Sequence, residues 1–284
     1  TQEFVPRSML VPIDDMVGGG PWGLKPGEWT DDTSMALCLA ESLLECGGFD
    51  ARDQMERYVR WMLDGHLSSK GHCFDIGTTT IHALQRFMES GEPWAGSTDP
   101  MSAGNGSIMR LAPVVLFYHP DVQAVDDYAA GSSLTTHAAD EAVATCRILA
   151  GWLSALLAGA SKDEALAAVE PAPWMSPRLE EIVEGCWIES DAPEIVSSGY
   201  CVDTLEAAMW CFWHAQSFED AILTAANLGD DADTVAAVAG QLAGAHWGAR
   251  SIPSGWLDKL VMADLIRQMA ERLWASEPEA AEHE

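Results

Sequence analysis

The 284-residue sequence predicts a single all-α domain of ten or more helices, and three observations support this fold class. Ala, Leu, Met and Trp recur at spacings of three and four residues, which is the period of helices with one apolar face. Alternating β-branched runs, which would predict strands, are almost absent. No internal repeat, low-complexity tract or long linker divides the chain, and a hydrophobic content of 48% is ample for one large core.

The clearest predicted helix covers 34–46. In this segment Met35, Leu39 and Leu43 form one apolar row, Glu41 lies outside it, and a pair of glycines ends the helix. Gly, Pro, Asp and Ser clusters bound the other helical segments in the same way. These ten further helices are predicted at about 51–63, 78–90, 106–118, 138–158, 162–169, 177–186, 203–215, 218–227, 233–247 and 257–275.

Acidic residues dominate the charge of the chain, with 44 Asp and Glu against 15 Lys and Arg and a net charge of -29. Such a chain repels the phosphates of nucleic acids and of anionic membranes, so neither is an expected partner. An anionic small ligand would need a local source of positive charge, which a bound metal ion can supply. The acidic segment 276–284 lacks apolar periodicity and is expected to be a frayed tail after a domain of residues 1–275.

The cysteines and the chain ends bear on the cellular compartment. Seven cysteines occur without a C-x-x-C pair, and Cys38, Cys146 and Cys211 lie in apolar helical runs, as is typical of reduced cysteines in a cytoplasmic protein. The start, TQEFVPRS, lacks the features of a signal peptide, and no apolar run is long enough for a membrane span. The chain begins without Met inside what reads as a motif, so we expect that an N-terminal piece is missing.

Two clusters of aspartate and threonine precede helices about 200 residues apart. Capping explains one aspartate at a helix N-terminus, but adjacent buried carboxylates cannot both stay ionised without a compensating charge. Hard divalent cations bound by oxygen supply that charge, and threonine hydroxyls can join the carboxylates as ligands. The spacing therefore predicts a site for two Mg²⁺ or Mn²⁺ ions formed by Thr30, Asp31, Asp32, Asp231, Asp233 and Thr234.

Two other interpretations of the second cluster fit less well. Residues 231–235, Asp-Ala-Asp-Thr-Val, match the nucleophile loop of haloacid-dehalogenase-like phosphatases. That loop should end an apolar strand, whereas the preceding residues read as a helix and only about fifty residues follow. A calcium EF-hand loop fails because Val235 and Ala236 occupy positions that need a ligand and a glycine.

Three further segments are candidates for the site, each with a simpler structural interpretation. Residues 104–107, Gly-Asn-Gly-Ser, form a small-residue loop before a helix expected near Ile108, which could cradle a phosphate or be an ordinary tight turn. Asp75 precedes a glycine and three threonines, and a cap of the helix at 78–90 would also explain it. His137 lies at a helix entrance, where histidines are more often capping or surface residues than catalysts.

Taken together and in chain order, four motifs resemble the ADP-ribosylglycohydrolase family. They are WTDDTSM (29–35), GNGSIMR (104–110), LTTHAADEA (134–142) and GDDADT (229–234). The resemblance covers nearly the whole chain and implies an orthogonal bundle of helices whose cleft binds two Mg²⁺ or Mn²⁺ ions. The residues that match the metal ligands of the family are the same six named above.

The resemblance also implies roles for residues outside the metal set. Glu3 in TQEF resembles an acidic residue near the family's N-terminus, although the Gly-Asp-Ala-Leu-Gly tract that precedes it in the family is absent here. Asp75 resembles an aspartate near the scissile ribose. The positions that resemble those holding the diphosphate are Asn105, Gly106, Ser107 and His137.

The function implied is hydrolysis of the glycosidic bond between ADP-ribose and a modified acceptor, with ADP-ribosylarginine on a protein as the favoured substrate. Glu3 or Asp75 would act as general base or stabiliser, and Asp231 would orient water. Two alternatives stay open. The chain could be a non-catalytic ADP-ribose-binding module, or a dinuclear metallophosphoesterase.

Overall fold

The computed structural model describes residues 3–276, which form thirteen α-helices and no β-strand longer than an isolated bridge. No helix in this part of the chain is both long and apolar enough to cross a membrane. The helices are α1 Asp31–Cys46, α2 Ala51–Asp64, α3 Thr78–Ser90, α4 Ala112–Tyr118, α5 Val122–Leu134, α6 Asp140–Leu157, α7 Lys162–Ala167, α8 Pro177–Val183, α9 Cys201–His214, α10 Phe218–Ala226, α11 Ala232–Trp247, α12 Ser254–Lys259 and α13 Ala263–Trp274.

The centre of the bundle is formed by α11 with α6, α9 and α10, and α1 packs beside them. Small buried side chains, such as Ala208 in α9 and Ala239 and Ala243 in α11, let these helices approach closely. The Ala-rich segment that follows Asp233 is therefore central, as its composition predicts. The all-α fold class and the count of more than ten helices are confirmed for the described residues.

Two predicted helices are interrupted in the structure. The segment 106–118 is a 3₁₀ turn at Ile108–Arg110 followed by α4, with Pro113 in the first turn of α4, where its missing N–H costs no hydrogen bond. The segment 257–275 divides into α12 and α13 because the backbone of Met262 is left-handed, with φ 55°.

The sequence analysis missed α5 altogether. Asp121 caps this helix by accepting hydrogen bonds from the backbone N–H groups of Gln123 and Ala124. Apart from Val125, its buried positions are occupied by small or polar side chains, namely Ala129, Ser132 and Ser133, so the apolar stripe is weak. The tail predicted at 276–284 lies, apart from Ser276, outside the described residues.

The N-terminal segment is tied to the loop before α11. The backbone N–H of Phe4 donates to the carbonyl of Asp230 at 2.6 Å, and the N–H of Asp230 donates to the carbonyl of Val5 at 2.9 Å. Gly229 and Asp230 both have left-handed backbones, with φ 82° and 54°. This pairing brings Glu3 to the N-terminus of α11.

We expect Gly229→Ala to destabilise the protein by about 1–3 kcal/mol, because alanine is strained at positive φ. Its Cβ would also lie 2.7 Å from the carbonyl oxygen of Val5. The matched control is Gly244→Ala within α11, where an added Cβ meets nothing within 4 Å and helix propensity favours alanine. Chemical denaturation measures both free energies of unfolding, and equal values for the two variants would contradict the role assigned to Gly229.

Candidate functional site: carboxylates at the floor of a polar cleft

The two predicted aspartate–threonine clusters meet at the N-termini of α1 and α11. The hydroxyl of Thr30 lies 2.9 Å from Oδ2 of Asp32 and 3.1 Å from Oδ2 of Asp233, although Thr30 and Asp233 are 203 positions apart in the chain. Thr234 is buried beside them and hydrogen bonds to Asp231. The six residues predicted as metal ligands are therefore close together in space.

The carboxylates of this site lack basic partners. Among residues 3–276, no Lys, Arg or His forms an ion pair with any of the six carboxylates that meet here, namely Glu3, Asp31, Asp32, Asp75, Asp231 and Asp233. Burial raises the pKa of Asp31 and Asp32 well above the usual value, and repulsion from neighbouring carboxylates raises both further. Burial and the charge of Asp231 also raise the pKa of Asp233, to about 6.

Two buried oxygens of the site have no hydrogen-bond donor. They are Oδ1 of Asp32 and Oδ1 of Asp233, whose Oδ2 atoms both lie near the Thr30 hydroxyl. A buried carboxylate oxygen without a donor is costly, and a divalent cation that prefers oxygen ligands satisfies both its charge and its lone pairs. The donor set thus fits Mg²⁺ or Mn²⁺.

Glu3 and Asp75 join the same cluster from two other parts of the chain. One carboxylate oxygen from each of Glu3, Asp75 and Asp233 lies within 4.8 Å of the other two. Glu3 is buried and accepts a hydrogen bond from the indole N–H of Trp22 at 3.0 Å. Burial and the charge of Asp233 raise the pKa of Glu3 to about 9 and that of Asp75 to about 7.

A cleft of about 730 Å³ opens above these carboxylates. Its wall residues are mostly small or polar, from the threonine cluster after Gly77, the loop at Gly104, the segment 196–199 and the start of α11. A second cavity, of about 260 Å³, lies behind Asp32 and Asp233 and is mainly apolar. It offers fewer polar groups to a ligand than the cleft does.

The glycine-rich loop forms part of the cleft wall and is held by hydrogen bonds to neighbouring helices. The Asn105 side chain points to α11, where its amide donates to Oδ2 of Asp231 at 2.6 Å and to the Thr204 hydroxyl at 2.9 Å. Ser107 is buried, and its hydroxyl accepts a hydrogen bond from Ser133 at 2.9 Å instead of lining the cleft. Gly104, Asn105 and Gly106 line the cleft at this loop, and the two glycines carry no side chain that would narrow it.

His137 is buried at the cleft wall rather than lying on the surface, and Ala139, not His137, caps α6. Its imidazole packs so closely on Gly106 that an added Cβ there would lie 2.7 Å from Cε1. Burial, together with the charge of Arg110, lowers the pKa of His137 to about 3. At neutral pH the ring is therefore uncharged.

Asp75 does not cap α3. Gly77 is the residue at the helix start, and Asp75 lies two positions earlier with a left-handed backbone, φ 58°. The sequence analysis assigned no site role to Thr80 or to Ser197, Ser198 and Gly199, which also line the cleft. The small polar run before α9 was the signal for the last three, since such a run without helical periodicity predicts an irregular loop.

Comparison with known proteins identifies a single family. Residues 1–282 match the family model described as ADP-ribosylglycohydrolase. The chain is 49% identical to "ADP-ribosylarginine hydrolase Tri1" of Serratia proteamaculans, over 98% of this chain and 75% of the relative. It is 32% identical to "ADP-ribosyl-[dinitrogen reductase] glycohydrolase" of Rhodospirillum rubrum, over 87% of this chain and 78% of the relative.

A solved structure has the same fold. The chain titled "ADP-ribosylglycohydrolase-related protein complex" superposes with a TM-score of 0.84 at 42% identity. The match covers 96% of this chain and 90% of that chain. The all-α prediction is thus confirmed by an independent structure.

The crowding of carboxylates predicts opposite effects of Asp32→Asn with and without metal. In chelator the variant should have a higher Tm than wild type, because one buried charge is removed. In saturating Mg²⁺ or Mn²⁺ the wild type should gain about 2.7 kcal/mol at a hundredfold excess over Kd, and the variant should gain much less. The exposed Asp64→Asn serves as the control, and equal metal-induced shifts in all three proteins would contradict the site.

The uncharged state of His137 predicts a loss of stability in acid. The folded protein keeps this ring unprotonated down to a pKa of about 3, whereas the unfolded chain binds a proton there near 6.5. The free energy of unfolding should fall by about 1.4 kcal/mol per pH unit between these values from this residue alone. Chemical denaturation of wild type and His137→Gln between pH 3 and 6.5 measures how the free energy of unfolding of each protein depends on pH. The same pH dependence in both proteins would contradict this assignment to His137.

Proposed function

This chain belongs to the ADP-ribosylglycohydrolase family, and we propose that it removes ADP-ribose from arginine side chains by hydrolysing the N-glycosidic bond. The observation that carries the proposal is the meeting of two distant carboxylate–threonine clusters at the floor of an open polar cleft. The arginine linkage is favoured by the Serratia relative, whose name states that activity, at 49% identity.

The metal ligands in this proposal are the six residues whose side chains meet at α1 and α11. Two bound Mg²⁺ or Mn²⁺ ions would offset the carboxylate charge and hold the vicinal hydroxyls of the ribose. The unpartnered oxygens of Asp32 and Asp233 support this assignment. The ligands are Thr30, Asp31, Asp32, Asp231, Asp233 and Thr234.

Asp231 is proposed to orient the attacking water. The Asn105 amide holds one of its oxygens at 2.6 Å, and Thr234 hydrogen bonds to the same carboxylate. A carboxylate restrained in this way keeps a defined direction toward the cleft. Asn105 then acts on Asp231 rather than on the diphosphate.

Glu3 and Asp75 are proposed as the acid–base pair. The two carboxyl groups share a hydrogen bond, and the pKa of Glu3 is raised further than that of Asp75. In this proposal Glu3 holds the shared proton and Asp75 is ionised, which agrees with the direction of the two pKa shifts. An ionised Asp75 can accept a proton from water as positive charge develops at the anomeric carbon.

The diphosphate is proposed to lie along Gly104 and Gly106, beside His137. The absence of side chains on both glycines leaves room for phosphate oxygens, and the neutral imidazole can donate a hydrogen bond. Ser107 fixes the loop to α5 through its hydrogen bond with Ser133.

The test is a panel of substrates carrying ADP-ribose on arginine, serine or a nucleobase, incubated with metal, with chelator and with Asp231→Asn. We expect free ADP-ribose and unmodified arginine from wild type with metal, and a loss of at least about a hundredfold in the other two cases. Asp64→Asn, on the surface at the end of α2, is the control expected to keep full activity.

Other results would favour the alternative functions. Binding of ADP-ribose in saturating metal without turnover of any substrate would indicate a binding module. Release of inorganic phosphate would indicate a phosphoesterase. Hydrolysis that survives chelation would overturn the metal-dependent mechanism.

A further inference from the structure

Arg110 is a buried cation without a carboxylate partner in the described chain. The residue is 1% exposed, and its guanidinium donates to the Gly106 carbonyl at 2.9 Å and to the Thr136 hydroxyl at 2.7 Å. It also lies 4.6 Å above the ring of Tyr58. Burying a charge among neutral groups is costly, so the position of Arg110 needs an explanation beyond packing.

The hydrogen bonds of the Thr136 side chain have a defined direction. A guanidinium only donates, so the Thr136 hydroxyl accepts from Arg110. That hydroxyl also lies 2.8 Å from Nδ1 of His137, and Thr136 is fully buried. If Nδ1 carried a hydrogen, the hydroxyl hydrogen of Thr136 would be left without this acceptor, at the cost of an unsatisfied buried donor. Thr136 therefore donates to Nδ1, and the ring hydrogen is on Nε2.

The other ring nitrogen lies at the cleft wall. Nε2 packs against the two glycines of the loop, since an added Cβ would lie 3.0 Å from it at Gly106 and 3.4 Å at Gly104. No protein acceptor for Nε2 is present among residues 3–276. The lowered pKa of His137 is consistent with a neutral ring in this place.

We propose that Arg110 and Thr136 are positioning residues that hold His137 in its Nε2–H tautomer, so that it donates a hydrogen bond to an anionic oxygen of a diphosphate in the cleft. This inference rests on the proposed function for the identity of the ligand. Arg110 donates to Thr136, and Thr136 donates to His137. In this relay of two hydrogen bonds, the first bond sets the direction of the second. The charge of Arg110 also makes protonation of the ring unfavourable.

The tautomer is measured directly by long-range ¹H–¹⁵N NMR of histidine-labelled protein, with the His137 signals assigned from His137→Gln. Wild type should show a single Nε2–H form. Thr136→Val removes the hydroxyl and should give a mixture with the Nδ1–H form, while Thr136→Ser restores the donor and should restore the wild-type pattern. Arg110→Lys, which keeps a donor and a positive charge, is a second and milder change to the same relay.

Affinity for ADP-ribose, measured by calorimetry in saturating Mg²⁺, gives the second readout. Thr136→Val should raise Kd by the factor by which the Nε2–H population falls in the NMR spectrum, since only that tautomer can donate to the diphosphate. Thr136→Ser should bind like wild type. The matched control is Thr145→Val. The buried hydroxyl of Thr145 donates to the Ala142 carbonyl within α6, so its removal should leave Kd unchanged.

The two readouts separate this inference from the proposed function. An Nδ1–H ring in wild type, or an unchanged Kd in Thr136→Val with the tautomer mixed, would overturn the role of the relay. If the tautomer and Kd behave as expected but no ADP-ribosylated substrate is turned over, the relay stands and the hydrolase proposal fails.

Discussion

Repulsion between buried carboxylates is the constraint on which the rest of this structure depends. Asp31 and Asp32 at one helix end face Asp231 and Asp233 at another, and the described chain provides no basic side chain to pair with them. Helix dipoles and the Thr30 hydroxyl relieve part of this cost. Small hard cations would relieve the remaining repulsion, and this is the physical basis on which we propose them as ligands of the site.

The packing of the helices fixes the positions of these carboxylates relative to one another. Alanines on α9 and α11 allow the central helices to lie close together, so the N-terminus of α11 is fixed relative to α1. Polar side chains then orient individual carboxylates, as the Asn105 amide does for Asp231. Arg110 is a buried positive charge behind the cleft wall, and in our proposal it acts through Thr136 rather than on a ligand directly.

The sequence allowed the helices and a link between the two aspartate–threonine clusters to be predicted, because both depend on local pattern and on charge. Apolar rows at helical spacing identify α1, and paired aspartates beside threonine indicate a cation wherever they meet. The pattern could not predict α5, whose buried face is made of small and polar residues, or the break at Met262. It also could not predict that the Asn105 amide binds Asp231 or that Ser107 is buried against Ser133, since the direction of a loop side chain depends on such distant partners.

The tie between Phe4, Val5 and Asp230 makes the carboxylate cluster depend on a long-range contact. It closes a loop that contains most of the polypeptide, and a closure of that length costs conformational entropy. The same two hydrogen bonds hold Glu3 beside the other carboxylates. Local detachment of residues 3–5 would therefore remove one arm of the cluster while leaving the helices in place.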